Sequence, residues 1–99
     1  MYGRHGTMTA KPGRRGALVA LLLEAARGDP MPGCRLYVVS EVLSDPDTIA
    51  VTEVWDDRAA HAASLQLESV RALITEARPL IAALGQPVEL HPVGGQGLD

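Results

Sequence analysis

The residues best suited to chemistry lie in one run, Glu53-Val54-Trp55-Asp56-Asp57-Arg58-Ala59-Ala60-His61-Ala62-Ala63-Ser64. It holds the only tryptophan and the middle one of three histidines. Ile49, Val51, Glu53 and Trp55 alternate with Ala50, Thr52 and Val54, which is the period of a β-strand, so Glu53 and Trp55 project from one sheet face. Asp56 or Asp57 is a natural helix N-cap, and beyond it His61 and Ser64 share one helical face. A carboxylate, an indole, an imidazole and a hydroxyl can therefore converge between a sheet and a helix. The imidazole of such a set can act as a base near neutral pH.

Each of these residues also has a plainer role open to it. Trp55 at a strand end is first a core residue and second a pocket wall, and its N–H needs a partner when buried. Glu53 shares its face with Ile49, Val51 and Trp55, so burial would raise its pKa unless a cation or donor meets it. An ion pair with Arg78 or Arg4 is the structural alternative. His61 can equally be a half-exposed helix histidine bonded to a strand. His5 stands among Gly3, Gly6 and Thr7, where glycine permits close approach of a ligand or marks a bulge. His91 is expected in solvent.

The elements that must position these groups are set by pattern and punctuation. Tyr2 to Ala10 reads as an extended segment ended by Lys11-Pro12-Gly13, with Pro12 suited to the first turn of the next helix. Leu18, Leu21, Leu22 and Ala25 have helical spacing, and Gly28-Asp29-Pro30 stops that helix. Arg14-Arg15 at its start is expected to be a solvated face, because cations oppose the dipole there. A second strand covers Arg35 to Leu43, and Ser44-Asp45-Pro46-Asp47 turns it into the third as a hairpin. A short helix is predicted from about Asp57 to Leu65. A longer one carries Val70, Leu73, Ile74, Ala77, Ile81 and Leu84, broken near Thr75 by Pro79 and closed by Gly85. Val88 to His91, between Pro87 and Pro92, reads as an edge strand. Residues 1–93 thus form one domain, and 94–99 a Gly-rich tail. Because no helix comes after Gly94-Gly95-Gln96-Gly97, that segment is no phosphate loop.

The order is βαββαβ, the ferredoxin-like split fold of the α+β class. Its helices cover one sheet face only. Yet the second strand is apolar on both sides (Leu36 and Val38 against Tyr37 and Val39), and so is the third. Strands of that kind expect two-sided burial, which a second copy of the chain packed sheet to sheet would supply. A homodimer is expected.

Composition excludes several functions. The 99 residues carry a net charge of −3 with one tryptophan, two tyrosines and no phenylalanine, so neither a basic footprint nor an aromatic platform serves nucleic acid. The single cysteine, Cys34, permits no internal disulfide or paired-thiol metal motif. No two histidines have metal-ligand spacing, so no metal site is expected. The longest apolar run, Ala17 to Leu23, is too short to span a bilayer, and a cytoplasmic location without membrane partners is expected.

The chain resembles the antibiotic biosynthesis monooxygenase domain family, in particular its small quinol-monooxygenase-like members. The likeness runs in order through Thr9-Ala10-Lys11-Pro12-Gly13, Pro32-Gly33-Cys34 before Tyr37, Glu53-Val54-Trp55, His61 with Ser64-Leu65, and Ala77-Arg78-Pro79-Leu80-Ile81. The resemblance implies a homodimeric α+β barrel with a pocket between sheet and helices in each subunit. It also implies oxidation of an electron-rich phenol, quinol or polycyclic aromatic by dioxygen without a cofactor. In that frame His61 is the base or proton shuttle, and Trp55 a pocket wall and donor. Arg78 stabilises the anion, held by Glu53, while Tyr37 and Ser64 hydrogen-bond the substrate and His5 lies close to it. Haem degradation, which some relatives perform, fits poorly. This chain has His5-Gly6 where those enzymes use an asparagine, and Ile74 near their iron-ligating histidine. A non-catalytic ligand-binding or stress-response dimer on the same scaffold is the alternative.

Overall fold

The strand that carries Glu53 and Trp55 is also the one around which the sheet is built. In the computed structural model, which describes residues 1–98, β3 (Thr48–Trp55) lies between β1 (Tyr2–Ala10) and β2 (Cys34–Glu41). Asp45 in the turn before β3 accepts the Asp47 N–H at 2.9 Å, the side-chain-to-backbone bond that makes aspartate a turn residue. The β1–β3 ladder is antiparallel and unbroken from Tyr2 opposite Trp55 to Thr9 opposite Thr48. The remaining elements are α1 (Arg15–Arg27), α2 (Arg58–Ser64), α3 (Glu68–Ala77), a 3-10 turn (Arg78–Leu80), β4 (Ile81–Leu84) and β5 (Val88–Leu90). The sheet order is β2-β3-β1-β4, and β5 shares the outer edge of β1 with β4. This is the α+β ferredoxin-like architecture expected from the pattern.

The core is aliphatic, as a chain without phenylalanine requires. Ala10, Leu18, Leu22, Ile49, Val51 and Ala77 pack between the sheet and the helix pair α1–α3. Leu18 and Ile49 are wholly buried, each contributing roughly 1.5–3 kcal/mol of transfer free energy. Alternation along β1 places Tyr2, Arg4, Gly6, Met8 and Ala10 on this helix-covered face and His5 and Thr7 on the other.

Residues 81–84 depart from expectation. The sequence predicts a helix continuing to Gly85, but α3 ends at Ala77 and Ile81–Leu84 form β4, paired with Met8–Ala10 of β1. Pro79 cannot continue the helix, and the unpaired backbone of β1 offers the nearest partners to the peptide groups of residues 81–84. β5 then pairs with Gly3–His5, so β4 and β5 are two halves of one interrupted edge strand. At the break the Gly85 N–H donates to the Thr7 carbonyl at 2.8 Å. A Cβ at Gly85 would stand 2.5 Å from Thr7 Oγ1, which only glycine avoids.

Three smaller differences also concern boundaries. Pro12 lies in a turn before α1, where Gly13 has φ of 77°, rather than in its first turn. Arg15 is not merely solvated: its guanidinium donates to the carbonyls of Val42 and Asp45 at 3.2 and 2.7 Å and pairs with Glu41, tying α1 to the hairpin turn. β2 ends at Glu41 rather than Leu43. Residues 94–98 form neither helix nor strand, and Asp99, the last residue of the expected tail, lies outside the described residues.

Candidate functional site

The seat of His61 is set by α2, whose start is pinned from two directions. The Asp57 carboxylate caps it by accepting the Ala60 N–H at 2.7 Å, the usual N-cap bond. Gly33, just before β2, accepts the Asp56 N–H at 2.8 Å, and Arg35 bonds the Asp56 carboxylate at 2.6 Å. Gly33 has φ of 83°, and a Cβ there would meet Ala60 Cβ at 2.7 Å. That glycine is what allows α2 to lie against the strand end.

One turn along, the His61 ring packs edge-on against Trp55 with centroids 5.5 Å apart and lies 5.8 Å from the Tyr2 ring. Trp55 is 1 % exposed, and its indole N–H donates to Glu53 Oε1 at 3.1 Å. The same carboxylate oxygen is 4.0 Å from His61 Nε2, close enough for charge attraction and too far for a direct hydrogen bond. Burial holds the His61 pKa below its ordinary value; Glu53 raises it, while Arg4 and Arg58 press it down further. The imidazole is therefore neutral at pH 7, the form that accepts a proton.

These side chains line a cavity of about 260 Å³ between the sheet and all three helices. Tyr37, Glu53, Trp55, His61 and Ser64, five of the residues singled out from sequence, all face it, beside an apolar lining that includes Leu22, Leu73 and Ile74. Burial, then the nearby Glu53 and Cys34, push the Tyr37 phenol up to about 12, so it remains a neutral hydroxyl. Ser64 is buried, but its hydroxyl donates to the His61 carbonyl at 2.6 Å, the back-bond typical of helical serine. It can only accept from a ligand.

Two expected residues lie elsewhere. Arg78 is exposed on the 3-10 turn and does not line the cavity; Arg4 does. His5 points to the open sheet face, where Nδ1 bonds Thr52 Oγ1 at 3.0 Å. Nor does either arginine hold Glu53, whose carboxylate is met by Trp55 and His61. The Arg4 guanidinium instead donates to the Tyr2 hydroxyl at 3.1 Å, and Tyr2 donates to Glu89 Oε1 at 2.7 Å. Arg58 bonds the same Glu89 oxygen and lies over the Tyr2 ring at 4.7 Å. Arg4 had a sequence signal: it is a lone charge on the β1 face that ends in the buried Ala10. Tyr2 and Glu89 had none, because their meeting depends on where β5 pairs. Among the described residues no three of His, Cys, Asp and Glu cluster to hold a metal, and no helix is long and apolar enough to cross a membrane.

This geometry coincides with a family assignment. The antibiotic biosynthesis monooxygenase family model matches residues 1–76, and the chain belongs to that family. It is similar to the crystal structure of a protein from Chloroflexus aurantiacus J-10-fl, provisionally named an antibiotic biosynthesis monooxygenase. The two are 52% identical over 99% of this chain and 98% of that one, with a TM-score of 0.92. A protein of Deinococcus radiodurans with the same provisional name is 31% identical over 96% and 95% of the two chains, with a TM-score of 0.77. One from Caulobacter crescentus CB15, at 21% identity over 94% and 90% and a TM-score of 0.82, shares the fold. No curated protein matches.

Proposed function

We propose that the protein is a cofactor-independent monooxygenase that oxidises an electron-rich phenol or quinol with dioxygen. The observation that carries this is a neutral imidazole 4.0 Å from a carboxylate, in an apolar cavity that also holds a guanidinium. His61 Nε2 takes the phenolic proton, and the imidazolium so formed is stabilised by Glu53. Arg4 faces the phenolate and stabilises its charge, which in a dry site is worth far more than in water.

With 1,4-naphthohydroquinone as the example, the anion gives its electron pair to dioxygen and a carbon–oxygen bond forms at C2, yielding a hydroperoxide. The peroxide bond then breaks. The C2 proton leaves with the distal hydroxyl as water, and C2 becomes a carbonyl that tautomerises to 2-hydroxy-1,4-naphthoquinone. One oxygen atom enters the product and the other leaves in water, so quinol plus dioxygen gives hydroxyquinone plus water.

The working unit is a homodimer. The sheet face away from the helices carries Leu36, with Val38, Val88 and Leu90 exposed at 41, 54 and 47 %. An apolar sheet face of that kind is covered by packing against its own copy in a second chain. A free Cys34 fits a reducing cytoplasm.

Dioxygen uptake with naphthohydroquinones and anthrones, against an autoxidation blank, tests the activity. Uptake above the blank that His61→Gln abolishes is the expected result. Tight binding with no uptake at any pH from mildly acidic to alkaline would overturn the oxygenase and leave a ligand-binding dimer.

A further inference from the structure

We infer that Glu89, on β5 and outside the cavity, is a positioning residue that acts through Tyr2 to hold Arg4 clear of Glu53 and free to meet the substrate oxygen; the inference rests on the phenol-oxidising function proposed above. Arg4 stands between two acidic side chains. In the ladders it is the direct partner of Glu53 on β3 and of Glu89 on β5, so all three share one sheet face. Its guanidinium bonds neither of them and donates instead to the Tyr2 hydroxyl at 3.1 Å.

Glu89 sets the direction of that bond. A phenol has one proton to give, and Tyr2 gives it to Glu89 Oε1 at 2.7 Å, which leaves the lone pairs of its oxygen for Arg4. A hydroxyl that donates to a carboxylate is also the stronger acceptor, because successive hydrogen bonds polarise one another. The bonds from Tyr2 and Arg58 hold the Glu89 carboxyl below its ordinary pKa, so it carries its charge at neutral pH. Arg58 keeps this carboxylate seated by bonding the same oxygen and lying over the Tyr2 ring. Tyr2 itself is buried, so its hydroxyl stays where Arg4 can reach it. Without Glu89 the Tyr2 proton is free to turn, and Arg4 keeps one acidic partner in register, Glu53. A bond between those two would take the carboxyl group from the Trp55 indole and from His61, and would draw the guanidinium away from the phenolate.

The indole N–H of the sole tryptophan reports on Glu53 directly, since it donates to Oε1 at 3.1 Å. Its resonance in a proton–nitrogen correlation spectrum of the full chain at neutral pH tests the proposal without turnover. Glu89→Ala should move it upfield, as Arg4 takes the oxygen that the indole uses. When Arg4→Met is combined with Glu89→Ala, it should return to its position in Arg4→Met alone. Glu89→Gln, which keeps the shape of the side chain and drops the charge, should shift it the same way by less. In dioxygen uptake, Glu89→Ala should lose about tenfold in kcat/KM, part of what one donor at a developing anion supplies, and nothing further in the Arg4→Met background. A resonance that stays put in both Glu89 variants, or a shift that survives Arg4→Met, would overturn the positioning role and leave the oxygenase standing. A wild type that consumes no dioxygen would overturn the oxygenase, while the resonance alone would still decide whether Glu89 holds Arg4 off Glu53.

Discussion

Arg4 and Glu53 are direct partners in the β1–β3 register, yet the guanidinium bonds Tyr2 while the carboxylate bonds Trp55. Opposite charges facing each other across a ladder usually pair. Here each is turned aside by an aromatic neighbour, and the cavity keeps a carboxyl group and a guanidinium that do not bond each other. Arg4→Met, which retains the apolar stem, should lower kcat/KM for phenol oxidation by about 10²-fold, the typical loss of one donor at a developing anion. Arg78→Ala should leave it within about twofold, a surface change away from the chemistry. Steady-state dioxygen uptake distinguishes the two.

Because burial depresses the His61 pKa, the proposed base is predominantly unprotonated at pH 7. The acid limb of kcat/KM should lie below the ordinary imidazole value of 6.5 and disappear in His61→Gln together with most of the rate. The same shift links to stability. Below pH 6.5 the unfolded chain binds the proton that the folded chain resists, so stability is full above that pH and declines as pH falls towards the depressed folded value. Urea midpoints from pH 7.5 to 5 should show this slope in the wild type and less of it in His61→Gln.

Gly33 is a backbone requirement of the site. Its positive φ and the 2.7 Å clash awaiting a Cβ at Ala60 mean that Gly33→Ala must displace α2 or strain the turn. A loss of more than about 1 kcal/mol is expected by denaturant titration. Asp57→Ala, which removes only the N-cap bond, should cost about 1 kcal/mol.

The open sheet face gives the assembly prediction. Val38→Lys combined with Val88→Lys puts charges on the surface proposed to meet the second chain, and these valines are already 41 and 54 % exposed in the single chain. Light scattering should change from dimer to monomer. A monomeric wild type at micromolar concentration would defeat the proposal outright.

How much of this was legible in the sequence depended on the range of the interactions concerned. Glu53, Trp55 and His61 were placed together by local period and one N-cap, signals contained between Ile49 and His61. Residues 81–84 were not, because Ile81-Ala82-Ala83-Leu84 has helical spacing and only the vacant edge of β1 decides otherwise. The choice between Arg4 and Arg78 was only partly open to local patterns, through the lone charge that Arg4 puts on its β1 face. Both are arginines near apolar runs, and which one enters the cavity is decided by the β1–β3 register and by where Pro79 ends α3. Gly6 looked like a place of close approach, but the hollow it opens is completed by Leu84 of the concealed strand β4 and by Pro87 in the break that follows it.

The bond from Tyr2 to Glu89 spans 87 positions of the chain. On a ribosome, the first strand would therefore wait until Glu89 has emerged before the aromatic wall behind His61 could be locked. Contacts of such separation form late and slow folding. The nascent protein could gain its hairpin and aliphatic core early, yet the wall beside His61 would be completed only as β5 docks.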